Sequence, residues 1–246
     1  MGVHLWHGLT ALGDGAVLLP CALLLLAWLW AIPATRRTGW WWLAAILVTS
    51  GGVALSKVLF MGWGLHPPGL DFTGLSGDAA LAFLFWPVAG VLVTDSRRSG
   101  KRVFFCVLGS GLALIITVAV VILHYHSQSE AILGGLWGIA IAAGFRVLTW
   151  RQPVAAPGIR RWMLASVLLV MVIAFGHRLS SSRVFEWVSA RVSGHMSVYV
   201  RCDLGPLGQL DRGKQTTCRG MVRPTGLLLQ RHKKSLGETD ATRYSD

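Results

Sequence analysis

Charge is what this chain has least of. Only 14% of its 246 residues are Asp, Glu, Lys or Arg, while 53% are hydrophobic and the mean hydropathy is +0.55. A soluble domain carries about a quarter charged residues, so this balance excludes an ordinary water-soluble globule and points to an integral membrane protein. Acidic residues are the scarcest, 11 against 23 Lys and Arg, which leaves a formal charge of +12. A surplus of that size can serve nucleic acid. Here the cations fall in short clusters between apolar runs and in the tail, so orientation in a bilayer accounts for them and no nucleic-acid partner is expected.

Other absences narrow the classes further. No alternating strand pattern appears and no segment repeats, so spans through a bilayer have to be helices, which satisfy their own backbone. About 14 residues without Lys or Arg precede the first apolar stretch, which is unlike a cleavable signal. Of the four cysteines, Cys21 and Cys106 lie in apolar runs and read as packing residues. Cys202 and Cys218 lie in the tail, where they either pair in an oxidising compartment or stay free, and their spacing has no metal signature. The His4-x-x-His7 pair has no acidic or Cys ligand nearby, so neither a metal nor another cofactor is expected. A b-type cytochrome would need facing His pairs inside helices, whereas the histidines here lie mainly at helix ends.

What is present is a series of apolar runs at about 16–33, 40–60, 79–94, 103–123, 131–148 and 162–177. A hydrocarbon core of about 30 Å takes about 20 helical residues, and several of these runs are near that minimum. The expected fold class is therefore all-α: an integral membrane bundle of six transmembrane helices. Trp40, Trp41, Trp42, Trp63, Trp150 and Trp162 sit near run ends, as an aromatic belt would place them. Residues 1–15 form an outer segment and 16–180 the membrane domain. Over 181–202, Val184, Phe185, Val188 and Val192 recur at helical spacing and predict a helix lying on the membrane surface. The basic stretch 203–246 has no packed-core pattern and is expected to be disordered.

Connections set the orientation. Arg36, Arg37, Arg97, Arg98, Lys101, Arg102, Arg146, Arg151, Arg160 and Arg161 border alternate connections, ten basic residues in all. The other connections hold none beyond Lys57 at a helix end. The basic side should be cytoplasmic, with the termini and the loops 61–78 and 124–130 outside. The basic tail then lies outside as well, which the charge rule disfavours but long segments tolerate.

This topology brings Lys57, Ser76, Gly77, Asp78, His124, His126 and Glu130 to one membrane face. Phosphate chemistry needs a cation, backbone N–H groups at a helix start, a nucleophile and a proton donor, and the set provides these in part. Blander roles stand beside these. Lys57 can snorkel to the interface, Asp78 can complement a helix dipole, His126 and Glu130 can simply end helices, and Gly134-x-x-x-Gly138 can pack a neighbouring helix.

These residues resemble the type 2 phosphatidic acid phosphatase superfamily, six-helix membrane lipid phosphatases whose motifs are written KxxxxxxRP, PSGH and SRxxxxxHxxxD. His126-Ser-Gln-Ser-Glu130-Ala-Ile-Leu-Gly134 follows the third motif: a His, an acidic residue four later and a Gly four beyond. Leu75-Ser76-Gly77-Asp78-Ala79 aligns with the second, and Lys57, about twenty residues earlier, with the first. The resemblance spans roughly residues 40–150. It implies that His126 takes the phosphoryl group, that Glu130 replaces the family's Asp in holding the imidazole, and that Lys57, Ser76 and the Gly77 amide bind phosphate oxygens. A lipid phosphate substrate, no cofactor and a bacterial inner membrane are implied with it.

The departures are specific. Asp78 stands in place of the His that protonates the leaving group, Gly64 and Leu65 in place of Arg-Pro, and Ala119 and Val120 in place of Ser-Arg. Asp78 or His124 would have to donate the proton. A catalytically impaired relative that binds anionic headgroups or partner membrane proteins is the alternative.

Overall fold

The computed structural model describes residues 2–68, 70–92, 99–149, 151–152, 157–176, 182–194 and 199. Cys202, Cys218, Arg97, Arg98, Trp150 and the tail expected to be disordered lie outside the described residues. Within them the chain forms eight α-helices and no strand. These are α1 Gly2–Ala11, α2 Gly15–Ala31, α3 Arg36–Trp63, α4 Gly77–Leu92, α5 Ser99–Ile122, α6 Gln128–Thr149, α7 Pro157–Ala174 and α8 Ser182–Ser193.

Local chemistry marks the helix ends. Asp14 caps α2 by accepting from the Ala16 amide at 2.8 Å, and Gly64 ends α3 at φ 68°, a conformation open to glycine. His124 ends α5 in the same left-handed region, at φ 56°. Its N–H donates to the Val121 carbonyl and that of Tyr125 to Val120, which together form a Schellman cap. The segment 1–15, expected as an outer segment, is largely helix α1, and it packs on α5 with Tyr125 Oη 3.1 Å from His7 Nδ1.

α4 is the axis of the bundle. Ala79 through Phe85, Pro87, Val88, Val91 and Leu92 are all buried, on every side of the helix. Such a helix needs neighbours all round, and it packs against α2, α3, α5 and α6. Small residues permit close approach: a Cβ at Gly109 would lie 2.5 Å from the Trp86 carbonyl oxygen, and one at Gly138 would lie 2.3 Å from that of Ala80. Gly134-x-x-x-Gly138 is thus a packing face. Further out, the Trp42 indole donates to the Ala22 carbonyl at 2.9 Å and ties α3 to α2, and the Trp28 indole donates to Ser166 Oγ at 3.0 Å and ties α2 to α7.

The outer surface is apolar where a soluble bundle would be polar. Leu47, Val107, Leu114, Leu136 and Leu169 are each more than half exposed. A belt of this kind is stable only if something apolar covers it. Four described stretches are long and apolar enough to cross a membrane: Leu5–Ala31, Pro33–Trp63, Gly100–Ile122 and Gln128–Thr149. α4 is apolar but shorter. The chain thus has the character of a membrane protein.

α8 forms within the stretch 181–202, as the helical spacing predicts. Val184 and Val192 are exposed, whereas Ser189 is fully buried. The Ser193 side chain and the Ser189 carbonyl meet Gly62 on α3, so α8 is docked on the bundle at a point of close approach.

Candidate functional site

Glu130 is the only carboxylate among the described residues with no exposed surface. A buried carboxylate is costly unless its oxygens are hydrogen-bonded, and this one is saturated. Oε1 accepts from the Thr73 amide at 2.8 Å and from the Thr73 hydroxyl. Oε2 accepts from the Ser127 amide at 3.1 Å and lies 3.0 Å from His126 Nδ1. That contact fixes the proton on Nδ1 and makes Nε2 the basic nitrogen of the ring. His126 itself precedes α6, and Glu130 is in its first turn, so the pair is held by the helix entry rather than along a helix face.

The surrounding backbone is tied to the same point. The Ser76 amide donates to the Glu130 carbonyl at 3.1 Å, which joins the start of α4 to the start of α6. A Cβ at Gly134 would lie 2.5 Å from the Ser76 carbonyl oxygen, so the two helix starts touch main chain to main chain. The Leu75 amide donates to Ser56 Oγ at 2.9 Å and ties the loop to α3. Gly74, at φ 139°, lies against the Lys57 side chain, where a Cβ would be 2.7 Å from Lys57 Cγ. Ser127 and Ser129 both donate to the Asp71 carbonyl, fixing the outer rim.

A cavity of about 270 Å³ opens beside this cluster, and Lys57, Gly77, Asp78 and His126 all line it. The carboxylates of Asp78 and Glu130 both attract the Lys57 ammonium, which also sits 5.1 Å from the centroid of the Phe185 ring. Two other expected residues lie off the cavity wall. Ser76 is fully buried, and its Oγ accepts from the Ala79 amide at 3.4 Å as the cap of α4. His124 is exposed and serves the α5 cap. The cavity therefore gathers a cation, a helix-start amide, a carboxyl and an imidazole, without the second imidazole or the serine hydroxyl.

Asp14, Ser50 and Phe185 also line the cavity, and the sequence reading assigned none of them to the site. Asp14 stands just before the first apolar run, where a cap is expected, but no spacing connects it with His126. Thr73, whose amide and hydroxyl both bind Glu130, was missed as well. It lies within residues 40–150, over which the resemblance runs.

Among known proteins, 148 residues of the chain are 38% identical to a Klebsiella pneumoniae protein described as an uncharacterized 22.5 kDa protein in a cps region, covering 60% of this chain and 71% of that relative. The chain belongs to that protein's family. No protein-family profile matches the chain, and no solved structure does.

Proposed function

We propose that the chain is a membrane lipid phosphatase, a divergent member of the type 2 phosphatidic acid phosphatase superfamily, acting at the outer face of a bacterial inner membrane. The observation that carries the reading is the His126–Glu130 contact of 3.0 Å on the wall of a cavity that Lys57 shares. In this reading α2 to α7 are the six spans. α4 can be short because protein surrounds it, and the arginine-bearing helix ends face the cytoplasm.

The chemistry follows from the residues. Lys57 and the amide of Gly77 draw the phosphate oxygens into the cavity. The Nε2 lone pair of His126 attacks phosphorus, a P–N bond forms and the lipid P–O bond breaks, while Glu130 stabilises the imidazolium. Asp78, in its protonated form beside the bound anion, gives its proton to the leaving oxygen. Water then attacks phosphorus, its proton passes to the Asp78 carboxylate, the P–N bond breaks and inorganic phosphate leaves.

The test is phosphate release by purified protein over phosphatidate, phosphatidylglycerophosphate and a polyprenyl diphosphate. Release from at least one is expected, and none from any of them would refute the reading. Asp78→Asn should lower that release by about 10²-fold or more, as loss of a general acid does.

One observation favours a second reading, a catalytically impaired relative that binds anionic headgroups. Among the described residues that line it, the cavity holds a single cation, Lys57, against the two carboxyls of Asp14 and Asp78. Each missing donor to a charged transition state costs about 10²–10³-fold. Asp78→His separates the two readings: a large gain in hydrolysis marks a decayed site, whereas a loss marks Asp78 as the working donor. Restoring the family's other cation by Val120→Arg is not a usable companion, because Val120 is fully buried and would trap the guanidinium without water.

A further inference from the structure

The opposite end of the bundle carries a second concavity. α6 runs from the His126 cavity to this end over 22 residues, a rise of about 33 Å at 1.5 Å per residue. Here α5 and α6 frame a hollow of about 750 Å³. Its wall is apolar, with Ala143, Val147 and Leu148, and its lip is polar, with Arg146, Arg151 and Gln152. A small pit of about 20 Å³ adjoins it, shares Arg146 and Gln152, and adds Arg102 and Thr38.

Three features of this end call for an anion. The Nε of Arg102 is buried with no hydrogen-bond partner, and so is the hydroxyl of Thr38 in the same pit. Leaving buried donors unmet is costly. Arg102 and Arg146 both line that pit. Finally, the described carboxylates, on Asp14, Asp71, Asp78, Glu130 and Glu186, belong to the other end of the helices. In the sequence, Asp95 is the single acidic residue set against the ten cations of these connections, and it lies outside the described residues.

Guanidinium groups bind phosphate oxygens in pairs. The wall beside them opens sideways, with Val147 78% exposed and Leu148 49% exposed on the surface that faces lipid. A phosphate with a hydrocarbon tail fits both halves. We propose that Arg102 and Arg151 form a binding site for the phosphate headgroup of an anionic phospholipid in the leaflet opposite the His126 cavity, with its acyl chain along Val147 and Leu148. The cytoplasmic leaflet, where the charge rule puts these arginines, is the anionic one. The site is independent of whether His126 is catalytic.

The test is native mass spectrometry of the full chain in detergent, in a His126→Ala background so that hydrolysis at the other end does not contribute. Phosphatidylglycerol, phosphatidylcholine and inorganic phosphate are titrated separately. Retention of phosphatidylglycerol at tenfold lower concentration than phosphatidylcholine is expected, with that preference lost in Arg102→Gln/Arg151→Gln. Arg151→Gln alone changes an exposed side chain and should lose about threefold, while Arg151→Lys should lose less. Equal retention of the two lipids, or an undiminished preference in the double variant, would overturn the proposal. So would inorganic phosphate displacing phosphatidylglycerol at matching concentration, which would make the occupant a soluble oxyanion.

Discussion

His126→Ala is expected to reduce phosphate release by about 10³-fold or more, to the background that Lys57 and the cavity alone sustain. Among the described residues on the cavity wall, the ring alone combines a nucleophilic nitrogen with a partner fixing its tautomer: Nδ1 faces Glu130 at 3.0 Å. Its side chain is 19% exposed and Glu130 is 0% exposed, so the two substitutions separate chemistry from folding. His126→Ala removes one contact to a carboxylate that keeps three other donors, and the protein should keep its secondary structure and melting temperature. Glu130→Ala orphans the amides of Thr73 and Ser127 together with the Thr73 hydroxyl. At about 1–3 kcal/mol for each buried unsatisfied group, it should destabilise the fold as well as stop the reaction. Phosphate release by His126→Ala at the wild-type rate would place the nucleophile elsewhere.

The sequence conveyed the helices better than the site, for a physical reason. A bilayer demands apolar runs of fixed length, so the runs at 40–60 and 131–148 anticipate α3 Arg36–Trp63 and α6 Gln128–Thr149 to within a few residues. The same uniform apolarity erases the period that would say which face of a helix meets which neighbour. α4 is buried on every side, and nothing in its composition predicts that it, rather than a longer span, is the axis. The i to i+4 spacing of His126 and Glu130 was readable because the contact is local. Asp14 and His126 are far apart in the chain and share a wall only through packing, so spacing could not join them.

His124 and Ser76 show the other limit. Both are polar and both stand where loops meet spans, so residue type alone makes them as eligible as His126. Backbone geometry decides otherwise: His124 is committed to a left-handed cap and Ser76 to the N-terminal cap of α4. Residue 124 needs φ > 0, a feature that the sequence signals only when glycine or asparagine supplies it. Ser76 still shapes the site, through its main chain. Its amide holds Glu130 and its carbonyl touches Gly134, so the serine positions the pair from beneath the cavity.

Gly138→Val should be the most damaging substitution to the fold. The new Cβ would lie 2.3 Å from the Ala80 carbonyl oxygen and 3.0 Å from the Ala80 carbonyl carbon. Both atoms are backbone, so no rotamer change relieves the overlap, and α6 has to move away from α4. Overpacking a core ordinarily costs about 1–3 kcal/mol; a clash between two helix backbones should reach at least the top of that range, read as a melting temperature lowered by several degrees in detergent. The displacement has a functional consequence too. Gly134 lies one turn nearer the site against the Ser76 main chain, and the Ser76 amide is bonded to the Glu130 carbonyl, so separating the helices at residue 138 pulls on the residue that orients His126. Gly138→Ala carries the same Cβ without the two further methyls of valine, so it should lower stability by less than the valine and still show lower phosphate release per folded molecule. Gly144→Ala on the same helix, where a Cβ meets nothing within 4 Å, should leave both measurements unchanged. A Gly138→Val protein as stable as the Gly144→Ala control would mean that α4 and α6 do not approach at this point, and that the His126–Glu130 pair is held by other means.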